Sequence, residues 1–312
     1  MKAIQFYNNL TKTLKENLGS EWTTELDTDV VRNNGTNRIA LILYKNGDKL
    51  HPQIYLERFF EDYKRGKTME EILQDVKTTY EEALQGFNLD NLFGIENWER
   101  VKGRLALRLI SKERNRKTLE NYVYRDFLDL AAIVTFCVEI DQQGVKAIRV
   151  THDLAKQWDI SESEILQVAK ENTEKLFPAR IESILDSLCR ALGITKEELL
   201  EKAEIPLQTM VLCNNLGVNG ATVLLYDSFL KQVYEQLGKK FIILPSSIHE
   251  IIVVPLDSAP SFSRCQEMVE SINRNYVDEE EILSDSVYLY DGEKILIACD
   301  SKGVCHNEEN LD

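Results

Sequence analysis

The sequence predicts an α+β fold in which antiparallel β-hairpins are interleaved with helices, and three observations carry that expectation. Short apolar runs, often β-branched, come in pairs with turn-forming residues between the members of each pair. The order strand, tight turn, strand, helix recurs three times, starting near residues 24, 127 and 241. Patterns with apolar residues three and four apart, the mark of amphipathic helices, fill the stretches between. No residue-level repeat accompanies this order, so it reads as recurring topology rather than duplication.

The strongest pair is 241–244 and 251–254, around Pro245-Ser246-Ser247-Ile248-His249-Glu250. Pro245 lacks an N–H and ends the first strand. This hairpin is expected in the interior, with His249 and Glu250 just beyond its turn.

From the N-terminus, Phe6, Leu10, Leu14 and Leu18 recur at spacing four over residues 2–18, a helix closed by Gly19. Strands follow at 24–31 and 38–44 around Asn33-Asn34-Gly35, whose Asn-Gly step favours positive φ. Asn46-Gly47 ends this hairpin. Helices are expected at 55–63 and 69–84, the second with Ile72, Leu73, Val76 and Tyr80 on one face. After an Asn- and Gly-rich loop at 86–97, residues 104–110 alternate, with Leu105, Leu107 and Leu109 opposite Arg104 and Arg108. That is the pattern of a half-buried strand. A polar helix from Ser111 to about Asn121 comes next, and the apolar run 127–140 reads as one buried strand. Residues 141–144 turn it into a second strand at 145–150. Helices are expected at 153–158, 161–176 and 181–192, and Ser161 with Glu164, like Thr195 with Glu198, forms a capping box. A strand at 210–213, an Asn/Gly loop and a helix at 221–237 lead to the hairpin. A helix at 263–276 and strands at 287–290 and 294–298 follow it. From Asp300 the tail is polar and expected to fray. Segments 86–97 and 111–125 could each separate domains. The second is favoured, giving regions 1–120 and 121–312, with one continuous domain as the alternative.

Charge and cysteine usage exclude several classes. The net charge of −15 makes the mean surface repel polyphosphates and anionic lipids, so nucleic-acid binding would need a local reversal. The six cysteines contain no Cys-x-x-Cys pair, which in so long a chain is not a disulfide framework and suits a reducing cytosol. Cys299, Cys305 and His306 are neighbours, but in a polar tail the proximity reads as fortuitous. The N-terminus lacks the apolar core of a signal peptide. The longest uncharged stretch, 205–226, is broken by Asn214, Asn215, Asn219 and glycines, so no membrane span is expected. A soluble cytoplasmic protein is the expectation.

Two stretches carry candidate chemistry. Residues 100–117 hold Arg100, Lys102, Arg104, Arg108, Lys112, Arg114, Arg116 and Lys117 against Glu113 alone. Arg104, Arg108, Arg114, Arg116 and Lys117 are candidates for binding an anion or an acidic partner, unless they pair with the protein's own carboxylates. In the hairpin connection, Ser246, Ser247, His249 and Glu250 are candidates for nucleophilic or acid–base chemistry. Strand alternation argues against a simple version, because His249 and Glu250 would point to opposite faces. The competing reading is a turn whose hydroxyls satisfy the backbone. The four histidines are isolated and no glycine-rich phosphate loop is present, so no metal or cofactor is implied. Residues 215–220 could offer backbone amides to an anion ahead of a helix. Residues 153–172 imitate a helix-turn-helix, but Glu162, Glu164 and Glu171 would repel phosphate, and the aliphatic stripe reads as core.

The stretches NNGTNRIALIL, AKENTEKLFPARIESI, FIILPSSIHEIIVVP and ILSDSVYLYD resemble domain of unknown function family 5688, an uncharacterised bacterial family frequent in gut Firmicutes. The resemblance covers nearly the whole chain and implies a cytoplasmic bacterial protein forming one full-length unit, with no activity attached. Two functions are consistent with the residues. The first is a non-enzymatic interaction or adaptor protein with a protein partner. The alternative is a small hydrolase using His249 with Ser246, Ser247 or Glu250.

Overall fold

Hairpins and helices alternate as expected in the computed structural model, which describes residues 2–47, 51–85, 94–141, 144–201, 206 and 208–306. Every described strand pairing is antiparallel, an α+β arrangement. The chain separates into two compact units, one ending at Phe93 and the other starting at Gly94.

The first unit opens with α1 (Ala3–Leu18), which buries Phe6, Tyr7, Leu10 and Leu14 and ends at Gly19 with φ of 86°. β1 (Trp22–Val31) and β2 (Asn37–Lys45) pair around Asn34 and Gly35, at φ 60° and 71°, the positive angles an Asn-Gly step accommodates. β3 (Gln53–Tyr55) adds a third strand beside β2, so the helix expected at 55–63 starts only at α2 (Glu57–Lys64). α3 (Met69–Gln85) places Ile72, Val76 and Tyr80 in one core with Phe6, Leu41 and Phe59.

The second unit begins with α4 (Trp98–Val101), β4 (Leu105–Ser111), α5 (Arg116–Leu119), β5 (Tyr124–Phe127), β6 (Leu130–Asp141) and β7 (Gly144–Arg149). The run expected as one strand at 127–140 is two. The chain reverses at Leu128, with φ of 55°, and Asp129, so β5 folds back on β6 with Phe127 opposite Leu130. β6 pairs with β4 along one edge and with β5 and then β7 along the other. The polar helix expected at 111–121 shrinks to α5. The boundary expected near residue 120 falls inside this unit, where β4 and β6 pair across it from Leu105↔Phe136 to Ser111↔Leu130.

After α6 (His152–Trp158), α7 (Glu162–Leu176) packs on β4 with Ile165, Ala169 and Thr173 buried. Thr173 Oγ1 accepts the Leu107 N–H at 2.8 Å. Covered by α7, β4 is buried on both faces except at half-buried Arg108, not half-buried with a free arginine face as its alternation suggested. The aliphatic side of α7 is core, as its stripe suggests.

The remaining elements are β8 (Ala179–Ser183), α8 (Ile184–Leu192), α9 (Lys196–Leu200), β9 (Met210–Asn214), α10 (Asp227–Leu237), β10 (Phe241–Leu244), β11 (Ile251–Pro255), α11 (Phe262–Asn275), β12 (Val287–Tyr290) and β13 (Ile295–Cys299). Their strands form a six-stranded sheet in the order β13-β12-β10-β11-β9-β8. The β10–β11 hairpin lies at its centre, and Phe241, Ile242, Ile243, Ile251 and Val253 are wholly buried. The helix expected at 181–192 divides into β8 and α8. The tail does not fray at Asp300. Cys299 and Cys305 are joined by a disulfide rather than being chance neighbours, because a turn brings their Cα atoms to 3.9 Å. Cys137, Cys189, Cys213 and Cys265 are free. Residues 86–93 of the expected loop, Gln142 and Gln143 of the expected turn, and the tail beyond His306 lie outside the described residues. Among the described residues, no helix is long and apolar enough to cross a membrane.

Candidate functional site

Pro245 ends β10, but the residues between it and β11 make no tight turn. They run along residues 281–284. The Ile248 N–H donates to the Glu281 carbonyl at 2.9 Å, Leu283 N–H to the Ser246 carbonyl at 3.1 Å, and Ser284 N–H to the Pro245 carbonyl at 3.1 Å. The His249 N–H donates to Ser247 Oγ at 3.0 Å, a local hydroxyl turn. The loop after β9 closes on the same segment. A Cβ at Gly220 would stand 2.3 Å from the His249 carbonyl oxygen and 2.8 Å from the Asn214 amide nitrogen. Only glycine permits that approach.

These contacts fix the imidazole of His249. Asn219, at φ 52°, directs its N–H to Nδ1 at 3.3 Å. Nδ1 is therefore the acceptor and Nε2 carries the proton, facing Glu281 Oε1 at 3.4 Å. Both ring nitrogens meet partners within the protein, and the ring is 31% exposed. Glu281, not Glu250, is the carboxylate beside the imidazole, while Glu250 is exposed. The amides once open to an anion are used locally. Asn215 N–H donates to Pro178 O, Leu216 N–H to Asn214 Oδ1, Gly217 N–H to Asn214 O, and Asn219 N–H to His249.

A second polar cluster joins residues far apart in the sequence. Asp129, at the β5–β6 reversal, accepts hydrogen bonds from the hydroxyls of Ser284 and Ser286 at 2.6 and 2.9 Å and from the phenol of Tyr288. Tyr288 is fully buried, and burial, with the Asp129 charge beside it, pushes its phenol well above the usual tyrosine range. Next to it, the Asn273 amide donates to the Ser284 carbonyl and to Asp285 Oδ1, at 3.0 and 2.7 Å. The partner residues lie more than 150 positions from Asp129, so neither period nor motif could have signalled the cluster.

The family model described as Family of unknown function (DUF5688) covers residues 3–292 of the 312. The chain belongs to this family. No curated protein and no solved structure matches it. Two of the stretches on which the resemblance rests, PSSIHE and ILSDSVY, are the segments that pair here and supply His249, Ser284, Ser286 and Tyr288, with Glu281 immediately before the second.

The basic residues of this DUF5688 member differ in their settings. Arg104 lies in the turn before β4, donates to the Val138 carbonyl at 2.5 Å and sits 5.9 Å from the centre of the Phe136 ring. Arg108 is half-buried within β4. Arg114 pairs with Asp285 at 3.1 Å, and Lys112 pairs with Asp126 at 2.7 Å. Arg116 and Lys117 are exposed on α5. An open cleft adjoins the Arg114–Asp285 pair and is lined also by Asn273, Arg274, Glu279 and Ile282. Among the described residues, no three His, Cys, Asp or Glu side chains converge to hold a metal ion.

Proposed function

We propose that the protein is a non-enzymatic interaction protein of the cytoplasm, an adaptor that engages a protein partner. The observation that carries this reading is the setting of His249. A general base needs a ring nitrogen free to take a proton from a nucleophile. Here Nδ1 receives the Asn219 N–H, Nε2 faces Glu281, and the Ser247 hydroxyl accepts the amide of His249 itself. Hydrolysis through His249 with Ser246, Ser247 or Glu250 would require these contacts to be given up. Burial pushes the Cys137 thiol up to about 11, which keeps it from serving as a thiolate nucleophile at neutral pH. The cytoplasmic placement rests on the four free cysteines, set against a single local disulfide. The charge of −15 favours a cationic or neutral partner over nucleic acid.

The test is a panel of chromogenic ester, phosphoester and glycoside substrates with wild type and His249→Ala. No turnover is expected from either protein, and His249→Ala should melt earlier than wild type. Turnover that vanishes in His249→Ala at an unchanged melting temperature would overturn the reading.

A further inference from the structure

The Cys299–Cys305 disulfide does not tie distant segments together. Its cysteines are six positions apart, and a cross-link that closes so short a loop restricts the unfolded chain less than a long-range one does. The turn between them has its own supports. Asp300 Oδ1 accepts the N–H groups of Lys302 and Val304, each at 2.9 Å. Gly303, at φ 79°, directs its N–H to the Asp300 carbonyl at 2.9 Å, and the Asp300 N–H donates to the Val304 carbonyl at 3.0 Å. This turn keeps the two sulfurs neighbours when the bond between them is open, which is what lets it close again.

What the disulfide fastens is the segment after the turn. Cys305 stands opposite Cys299 in an antiparallel bridge, and the His306 N–H donates to the Ala298 carbonyl at 2.9 Å. Residues 305 and 306 therefore run along β13, the end strand of the six-stranded sheet. The two cysteines differ in access. Cys299 has no exposure and belongs to the core of Ile242, Phe262, Cys265 and Val269, whereas Cys305 is half-buried against that core. Thiol–disulfide exchange needs a sulfur that a thiolate can reach, and Cys305 is the reachable side. Burial pushes the thiol of Cys265 up, which keeps this third cysteine of the core from competing as a thiolate.

We propose that Cys299 and Cys305 form a reversible redox latch, which fastens residues 305–306 to the sheet edge when oxidised and frees them when a thiol reductant opens it. The reductant is a protein dithiol or two molecules of glutathione. A thiolate of the reductant attacks Cys305 Sγ, the bond to Cys299 breaks, and Cys299 leaves and takes up a proton. A second reductant thiolate attacks the reductant sulfur of the mixed disulfide, so Cys305 leaves as a thiolate, takes up a proton, and the reductant carries the disulfide away. Two electrons and two protons pass to the protein. With the bond open, residues 305–306 keep the His306–Ala298 hydrogen bond near a chain end, where pairing frays. Fraying leaves the Ala298 carbonyl at the sheet edge without its donor, and such an edge group pairs with strands of other chains.

The test holds the full chain in graded mixtures of reduced and oxidised glutathione, alkylates it in the native state and maps its cysteines by mass spectrometry. The Cys299–Cys305 link should be lost and regained within the series, with Cys137, Cys189, Cys213 and Cys265 remaining thiols throughout. Exchange of the His306 amide should quicken at least about tenfold when the link opens, and Cys305→Ser should show the fast rate in every mixture. The wild-type comparison between mixtures carries the test by itself if that variant folds poorly. The proposal is overturned by a link that survives reduced glutathione in the folded protein, which marks a structural bond, or by one that never forms in oxidised glutathione. A disulfide that includes Cys265, or equal His306 exchange in the linked and open states, overturns it as well.

Discussion

His249 and Asp129 are served by one segment of chain, yet they are held in different ways. Residues 281–288 supply Glu281 to the first and Ser284, Ser286 and Tyr288 to the second. The imidazole is 31% exposed and has contacts of 3.3 and 3.4 Å at its two nitrogens. The carboxylate accepts three hydroxyl hydrogen bonds, one from a phenol with no exposure to solvent. A residue conspicuous in sequence is thus a surface clip, and an inconspicuous aspartate is the anchor between a hairpin reversal and a central sheet. Chemical reactivity of residue type and structural weight are separate properties. Burial and the number of satisfied partners decide the second.

The comparison breaks most readily at Asp129. Asp129→Ala leaves three hydroxyl donors without their acceptor, and the loss should be about 2–4 kcal/mol in urea unfolding. A loss near zero would mean that the hydroxyls find other partners and that Asp129 is no anchor. Tyr288→Phe should cost less, about 1–2 kcal/mol, because Asp129 keeps its serines. It also carries a pH signature. The folded phenol titrates above the unfolded value of about 10, so its contribution is intact below about pH 10 and is lost as pH rises toward the folded value. Stability of wild type should therefore fall above about pH 10 more steeply than that of Tyr288→Phe, as read by unfolding at stepped alkaline pH.

His249→Ala removes two single contacts at a partly exposed site and should cost about 0.5–1.5 kcal/mol, clearly less than Asp129→Ala in the same measurement. The reverse order would invert the comparison. Arg114→Ala should have the smallest effect, below about 1 kcal/mol, since the Arg114–Asp285 pair is a third exposed on the arginine side. Salt titration of its melting temperature would expose a larger role.

Much of the fold was legible where apolar pattern and turn chemistry agree. The β10–β11 hairpin, α1, α3, α7 and α11 stand close to their expected bounds because each combines a period with a cap or a breaker. β3, β5 and β8 were not legible. Gln53–Tyr55, Tyr124–Phe127 and Ala179–Ser183 are short and carry polar or charged residues, and their strand character comes from partners at β2, β6 and β9. The reversal at Leu128-Asp129 lacks glycine and proline, so nothing local distinguished it from continuing strand. At the site, adjacency drew attention to Glu250, whereas main-chain pairing of 245–248 with 281–284 delivers Glu281. Arg104 read as an exposed strand residue, and only the fold shows its guanidinium turned onto the Val138 carbonyl and the Phe136 ring.

The central claim is that His249 is turned inward, with Nδ1 accepting the Asn219 N–H and Nε2 carrying the proton toward Glu281. Nitrogen–proton correlation spectra of ¹⁵N-histidine-labelled protein at neutral pH test it directly, with His249→Gln used to assign the signal. The expected result is an unprotonated Nδ1, a protonated Nε2, and an Asn219 amide protected from exchange. A His249 protonated at Nδ1 with a free Nε2, or an Asn219 amide exchanging at the rate of an unfolded peptide, would contradict it.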